Sequence, residues 1–238
     1  MGGLPVSRDI YVGAGDFEGL SERAVAFAQR HSRLVTLPGN SVVYLQDDPT
    51  EHVYFVRRGH VRLCYITEDG MVTLHSIVPP GCSFGEAGAF EGFSHCDSAF
   101  TAGETELMVL SLNWVDDPSP EALEMRHAIS RMVARRYRDH VEFTRALYLP
   151  NLALRLSHTL LRLMDQLGNE INYRGQLVGC LGPVVTQRDL GSMARGTREN
   201  VNKALRRWTR DGLLAMEDRH IIVLERTRLE DLAIPGGD

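Results

Sequence analysis

The stretch TQRDLGSMARGTRENVNKALRRWTRD, residues 186–211, decides how the chain is read. It has the form of two short helices joined by a tight turn. Thr186-Gln187-Arg188-Asp189 fits a capping box, in which a hydroxyl and a carboxylate satisfy the orphan amides at a helix start. Leu190 and Met193 give this first helix a small apolar face. Arg195-Gly196 ends it, and the glycine is expected to supply the left-handed turn residue at little steric cost. Thr197 suits the N-cap of a second helix, and Val201, Leu205 and Trp208 then recur at helical spacing. The opposite face carries Arg198, Glu199, Asn200, Asn202, Lys203, Arg206, Arg207 and Arg210. Seven cations stand against three anions in the stretch. This pattern points to a helix-turn-helix whose second helix enters a DNA major groove. The plain alternative is a solvated amphipathic helix pair.

Composition bounds what surrounds this element. The 238 residues allow one or two domains, 43% are hydrophobic and 24% charged, and the net charge is −5. A chain that is acidic overall must meet nucleic acid through a local basic face. Cys64, Cys82, Cys96 and Cys180 form no C-x-x-C pair, so no zinc or thioredoxin-like motif is expected. Their scatter fits reduced thiols in the cytoplasm. No apolar run reaches membrane-spanning length, and MGGLPVSRDIYVG lacks the basic-then-apolar order of a secretion signal. A cytoplasmic protein without a membrane partner is expected. Ser-His-Asp logic, metal-ligand spacing and Walker-type loops do not occur at plausible positions, so neither an enzyme nor a metal site is expected.

Upstream, residues 1 to about 16 read as a short arm and Asp16–His31 as a helix with Phe17, Leu20, Ala24, Phe27 and Ala28 on one side. From Arg33 to Leu112 short β-favouring runs alternate with turn residues, as in SVVYL, VYFVRRG, VRLCYI and VTLHSIV. Asp69-Gly70 between two such runs is a strong hairpin signal. An antiparallel sandwich or roll is expected. Ser119 then caps a long helix from about Pro120 to Leu149, with a stripe of Met125, Ile129, Met132, Val133, Tyr137, Val141, Thr144 and Tyr148. A partner helix from a second subunit would bury that stripe; packing on the roll is the alternative. Leu149-Pro150 breaks the helix and Asn151 caps the next, which ends at Gly168. NEINYRGQ reads as a polar loop. After the helix pair, LLAMEDRHIIVLE reads as a hairpin turning at Glu217-Asp218-Arg219, the wing of a winged helix, and RTRLEDLA as a short closing helix.

The order of roll, long helix and winged helix-turn-helix resembles the CRP/FNR family of bacterial transcription regulators across nearly the whole chain. Phe84-Gly85-Glu86-Ala87-Gly88-Ala89-Phe90 is similar to the stretch that opens the family's phosphate-binding cassette, and Gly39, Gly59, Asp69-Gly70 and Pro80-Gly81 also match. Thr197-Arg198-Glu199-Asn200-Val201-Asn202-Lys203 matches the family's S/T-R-E-x-V-x-R/K signature. The resemblance implies an α+β protein. Residues 1–117 would be an N-terminal antiparallel β-roll like a cyclic-nucleotide-binding domain, 118–149 a dimerisation helix and 150–238 a winged helix-turn-helix DNA-binding domain. It implies a homodimer on double-stranded DNA at a near-palindromic site, with RNA polymerase as partner if the protein activates.

By the resemblance, Arg198, Glu199 and Lys203 read bases, and their chemistry suits guanine acceptors and the cytosine amino group. Thr186, Arg188, Arg195, Thr197, Asn200 and Asn202 would serve the DNA backbone or capping. The effector pocket would draw on Phe84, Gly85, Glu86, Ser98, Tyr137 and His140. Cyclic-AMP-binding relatives carry Arg-Ser after the cassette opening; here the arginine position falls on Cys96 or Asp97, neither of which can pair with phosphate. Their Thr-Ser pair falls on His140-Val141. Cyclic AMP is therefore not the expected effector, and the cofactor stays unassigned. An iron–sulfur mode of sensing lacks its N-terminal cysteines, because none precedes Cys64. Haem would need a ligand such as His75, His95 or His140, and a thiol switch would use Cys96 or Cys180. The alternative to a DNA-binding regulator is a ligand-binding module that acts on a protein partner.

Overall fold

The computed structural model describes residues 19–90, 92 and 94–234. They form two compact units: residues 1–61 with 78–136, and residues 62–77 with 137–238. The expected N-terminal arm, with Asp16 and Phe17, lies outside the described residues.

The first unit is a β-roll closed by helices. Helix α1 (Glu22–Arg30) starts later than Asp16, because the Ser21 hydroxyl caps it by accepting from the Ala24 amide. One sheet has the order β1-β8-β3-β6, built from Ser32–Leu37, Thr105–Ser111, His52–Arg58 and Ser83–Phe84. Its registers are antiparallel, with Val35 opposite Leu107 and Val53 opposite Leu110. β2 (Val42–Tyr44) pairs antiparallel with β7 (Ser98–Thr101).

Helix α2 runs from Pro120 to Leu147. The Ser119 hydroxyl accepts from the Ala122 amide at 3.3 Å, and proline at the first position loses no hydrogen bond. The guanidinium of Arg126 donates to the carbonyls of Val115 and Asp117 at 2.7 and 2.8 Å, which fixes the approach of the chain. The stripe expected to face a partner helix divides. Met125, Ile129 and Met132 are buried in one core with Phe27, Val53, Phe55, Leu110 and Trp114. The first half of the stripe is thus consumed by its own roll, because this sheet needs a helix to cover its apolar face. Tyr137, by contrast, is 70% exposed and Tyr148 81%.

The second unit holds the β4–β5 hairpin, α3 and the C-terminal elements. β4 (Val61–Ile66) and β5 (Val72–Val78) turn at Gly70, whose amide donates to the Thr67 carbonyl at 2.8 Å. Helix α3 (Leu152–Leu167) is capped by the Asn151 side chain on the Leu154 amide. NEINYRGQ forms no loop: β9 (Asn169–Tyr173) and β10 (Gln176–Leu181) make a hairpin around Arg174-Gly175, both with positive φ. The two-residue turn twists with the strands, and the alternation of Ile171 and Tyr173 with polar residues was its signal. β10 also pairs with β12 (His220–Val223), whose other neighbour is β11 (Leu214–Glu217), so the sheet order is β11-β12-β10-β9.

Glycine at 59 is demanded twice over. Its φ is +79°, and a Cβ there would lie 2.4 Å from the Glu104 carbonyl oxygen. Gly70 has nearly the same φ, +80°, and open space around the missing Cβ. Gly70→Ala should therefore cost about 1–2 kcal/mol, the left-handed penalty alone. Gly59→Ala should cost clearly more, because a backbone oxygen cannot swing aside. Urea unfolding of both variants measures the difference; equal losses would rule the clash out.

Candidate functional site

α4 (Gln187–Met193) and α5 (Arg198–Arg210) are the expected helix pair. Thr186 and Asp189 form a complete capping box, with the Asp189 carboxylate accepting from the Thr186 amide at 2.9 Å. The Thr197 hydroxyl caps α5 by accepting from the Asn200 amide at 3.2 Å. The turn departs from expectation in one respect. The left-handed residue is Arg195, with φ +50°, and Gly196 has no positive φ. Gly196 is required for space: a Cβ would lie 2.6 Å from Leu152 Cδ1 on α3. Gly191 meets the same need, since its Cβ would lie 2.8 Å from the Gly196 carbonyl oxygen. The Gly196 amide donates to the Gly191 carbonyl at 2.8 Å and closes the turn.

Arg155 on α3 secures this turn from below, a role no sequence motif announced. Its Nε donates to the Ala194 carbonyl at 2.8 Å and its Nη2 to the Arg195 carbonyl at 3.5 Å. Its Nη1 donates to the Leu149 carbonyl at 2.8 Å. One guanidinium therefore holds both the break after α2 and the turn between α4 and α5. Arg62 of the β4–β5 hairpin acts on the other end of α4: it pairs with Asp189 at 3.1 Å and donates to the Val184 carbonyl at 2.8 Å. The Leu74 amide also donates to the Ser192 hydroxyl, at 2.7 Å.

Val201, Leu205 and Trp208 are buried on the inner face of α5. This fixes the rotation of the helix, so that Arg198, Glu199, Asn200 and Lys203 are exposed on its outer face. Lys203 and Glu199 form an ion pair at 2.8 Å along the helix. Thr186, Arg188 and Arg198 line a groove of about 380 Å³ together with Met216 and Arg219 of the wing. The wing strands β11 (Leu214–Glu217) and β12 (His220–Val223) turn at Asp218-Arg219, both with positive φ. Arg219 is the cation that sequence reasoning missed; its place at the turn was legible, its position on the groove was not. Arg195 and Asn202 line no part of that groove; Arg195 is exposed and Asn202 half-buried.

In the roll, Phe84, Glu86 and Ser98 are buried and Gly85 is half-buried, and their partners are ones the family pattern did not name. Glu86 is 2% exposed, and its Oε1 accepts from Arg136 Nε at 3.1 Å. Arg136 also donates to the Ser83 carbonyl. The Tyr44 hydroxyl donates to Asp97 Oδ1 at 2.9 Å, and its ring stacks on His95 at 3.6 Å between centroids. Burial, then the neighbouring Asp97 carboxylate, pushes the Tyr44 phenol well above its usual range, so it stays a neutral donor. A Cβ at Gly85 would lie 3.0 Å from Tyr54, 3.2 Å from Tyr44 and 3.3 Å from His95, so these rings press directly on the cassette backbone. Ser98 accepts from the Gln46 amide at 2.8 Å, a structural bond. Tyr137 and His140 belong to the second unit and are exposed. Tyr44, His95 and Arg136 are the roll residues that the family pattern alone did not assign.

Burial holds the His95 imidazole below its ordinary pKa, which favours the neutral ring. Burial likewise raises the Cys180 thiol; the Cys96 thiol, exposed on one side, is raised by partial desolvation and then by the Asp97 carboxylate, away from the reactive thiolate. Among the described residues no group of three or more His, Cys, Asp or Glu is arranged to hold a metal ion. Among the described residues no helix is long and apolar enough to cross a membrane.

A β-roll followed by a winged helix-turn-helix defines a DNA-binding regulator. Residues 34–116 match the cyclic nucleotide-binding domain, and residues 154–232 the Crp-like helix-turn-helix domain. The CRP-like cAMP-activated global transcriptional regulator of Mycobacterium tuberculosis is 26% identical over 227 residues, covering 93% of this chain and 97% of that protein. Transcriptional regulator LdrP of Thermus thermophilus is 29% identical over 190 residues, covering 79% and 90% respectively. FixK2 from Bradyrhizobium japonicum shares the fold, with a TM-score of 0.74 at 22% identity over 86% of this chain and 98% of that one. The chain belongs to the CRP/FNR family of transcription regulators.

Arg155→Leu should leave three carbonyls without their donor and destabilise the second unit by about 2–3 kcal/mol, the scale of hydrogen bonds to a charged group. Hydrogen exchange should quicken first at the amides of Ala194, Arg195 and Gly196. Unchanged exchange at those amides would show that Arg155 does not hold the turn.

Proposed function

We propose that this regulator is a homodimer whose α5 helices read the two halves of a near-palindromic DNA site. The observation that carries the reading is the division of α5. Buried Val201, Leu205 and Trp208 lock one face, and the first two turns of the other present Arg198, Glu199 and Lys203. Arg198 can donate twice to a guanine, Glu199 can accept from a cytosine amino group, and Lys203 can reach a guanine acceptor. The Lys203–Glu199 pair is exposed and worth only about 0.3–0.5 kcal/mol, so DNA can exchange it at little cost. Thr186, Arg188, Arg195, Thr197, Asn200, Asn202 and the wing residue Arg219 are assigned to phosphates and to support of the helix starts. Residues 1–117 act as the sensor, 118–149 as the dimer helix and 150–238 as the DNA-binding part, in the cytoplasm. RNA polymerase is the further partner where the protein activates.

The dimer rests on a second face of α2. Leu123, His127, Ser130, Ala134, Tyr137, Val141 and Thr144 alternate at spacings of four and three, as in a coiled-coil seam. The first five are exposed and the last two half-buried, so the seam is open for the same helix of a second copy.

The effector reading follows from charge. Asp97 occupies one of the two positions where cyclic-AMP-binding relatives have arginine, and here it accepts from Tyr44. A carboxylate repels a cyclic phosphate, so an effector other than cyclic AMP, or none, suits this roll.

Arg198→Ala should weaken binding to the specific site by about 1–3 kcal/mol and leave random-sequence DNA nearly unaffected. Gel-shift titration on both DNAs decides it; an equal loss on both would reduce Arg198 to a phosphate contact. Replacing Ala134 and Tyr137 together by Glu should place like charges in the seam and convert the dimer to monomer in sedimentation experiments at micromolar protein. A double variant that still sediments as a dimer would remove α2 as the interface.

A further inference from the structure

We propose that the wedge between the C-terminal part of α2 and α3, beside the Leu149-Pro150 break, binds a small amphipathic carboxylate through Arg162. The wedge is a cavity of about 220 Å³ inside the second unit. Its volume equals roughly seven waters of liquid, enough for a short organic acid. Phe143, Leu147, Leu161 and Met193 supply an apolar wall, and Arg162 stands at its polar side.

Of the other charged or polar groups of the wedge, Glu142 is exposed to solvent and the rest are engaged. Arg155 is spent on three carbonyls. Asp165 accepts from Arg226 at 2.8 Å. Thr159 donates to the Arg155 carbonyl, and His158 Nε2 lies 2.9 Å from the Ala233 carbonyl. Arg162 differs. Its one hydrogen bond among the described residues runs from Nη2 to the His75 carbonyl at 3.0 Å. Its guanidinium lies over the Phe143 ring, 4.7 Å from the centroid. A guanidinium has five N–H donors, so most of its capacity is unspent.

Burial lowers its pKa to about 10, and the nearby charges of Asp139 and Glu142 do not make up the loss. Neither carboxylate forms an ion pair with it. It therefore stays charged at neutral pH, desolvated and with no carboxylate in ion-pair contact, a contact that a bidentate carboxylate ligand would supply. The apolar wall then selects an acid with a hydrocarbon part over an inorganic anion. The site does not depend on how α5 reads DNA.

Hexanoate is the probe, added to the full-length protein without DNA and followed by thermal unfolding and calorimetry. A saturable rise in Tm and saturable heat are expected at about millimolar ligand. Hexanol, which lacks the charge, and inorganic phosphate, which lacks the hydrocarbon, should each give a far smaller effect. Arg162→Gln should abolish the hexanoate response. Leu147→Trp, which fills the cavity and leaves Arg162 intact, should abolish it as well, so a poorly folded arginine variant does not leave the question open. No saturable response in the wild type would overturn the site, as would a response that survives both variants. Phosphate acting as strongly as hexanoate would overturn the assignment of an amphipathic ligand.

Discussion

The contact on which the DNA-reading half depends is the approach of two glycines. Gly191 and Gly196 bring backbone to backbone through a hydrogen bond of 2.8 Å, and a side chain on either would meet the carbonyl of Gly196 or the methyls of Leu152. The angle between α4 and α5 follows from that closeness. So does the strain at Arg195, which takes the left-handed conformation because the chain must reverse where no glycine stands. Arg155 offsets the strain by holding the carbonyls on both sides of the peptide that turns. The rotation of α5, and therefore which side chains face outward, is then decided by Val201, Leu205 and Trp208.

Helix α2 serves two flanks with one periodicity. Met125, Ile129 and Met132 complete the roll's core. Leu123, Ala134 and Tyr137 lie on a neighbouring flank that this core does not cover. A helix of 28 residues with both duties cannot be altered on one flank without cost to the other. Arg136 adds a polar tie at the roll by ending on Glu86 and Ser83.

Much of this was legible in sequence, for identifiable reasons. Caps at Ser119, Asn151, Thr186 and Thr197 are local chemistry, and local chemistry shows in residue order. The wing turn at Asp218-Arg219 and the hairpin at Asp69-Gly70 are likewise written in a few adjacent residues. What was not legible depends on contacts between distant residues. The α2 stripe could not be apportioned between roll and partner, because both demand the same apolar residue types. Gly196 was expected to serve conformation and instead serves Leu152, 44 positions away in a direction no periodicity records. In NEINYRGQ only Ile171 and Tyr173 alternate with polar residues, too short a pattern to separate a hairpin from a polar loop. In the cassette, Glu86 was visible as a motif residue, while Tyr44 and His95 had no motif to mark them.

The stack of Tyr44 on His95, with its hydroxyl on Asp97, bears on how this roll could change its ligand over time. Charge and volume are linked at the cassette. Placing an arginine at position 97 alone would supply a cation but strip the buried phenol of its acceptor and leave the aromatic rings in place. Removing Tyr44 alone would open space beside a carboxylate that still repels phosphate. Either single step loses stability before it gains affinity. Charge and volume at the cassette therefore have to change together, because the Tyr44 hydroxyl, its ring and the Asp97 carboxylate form one packed unit.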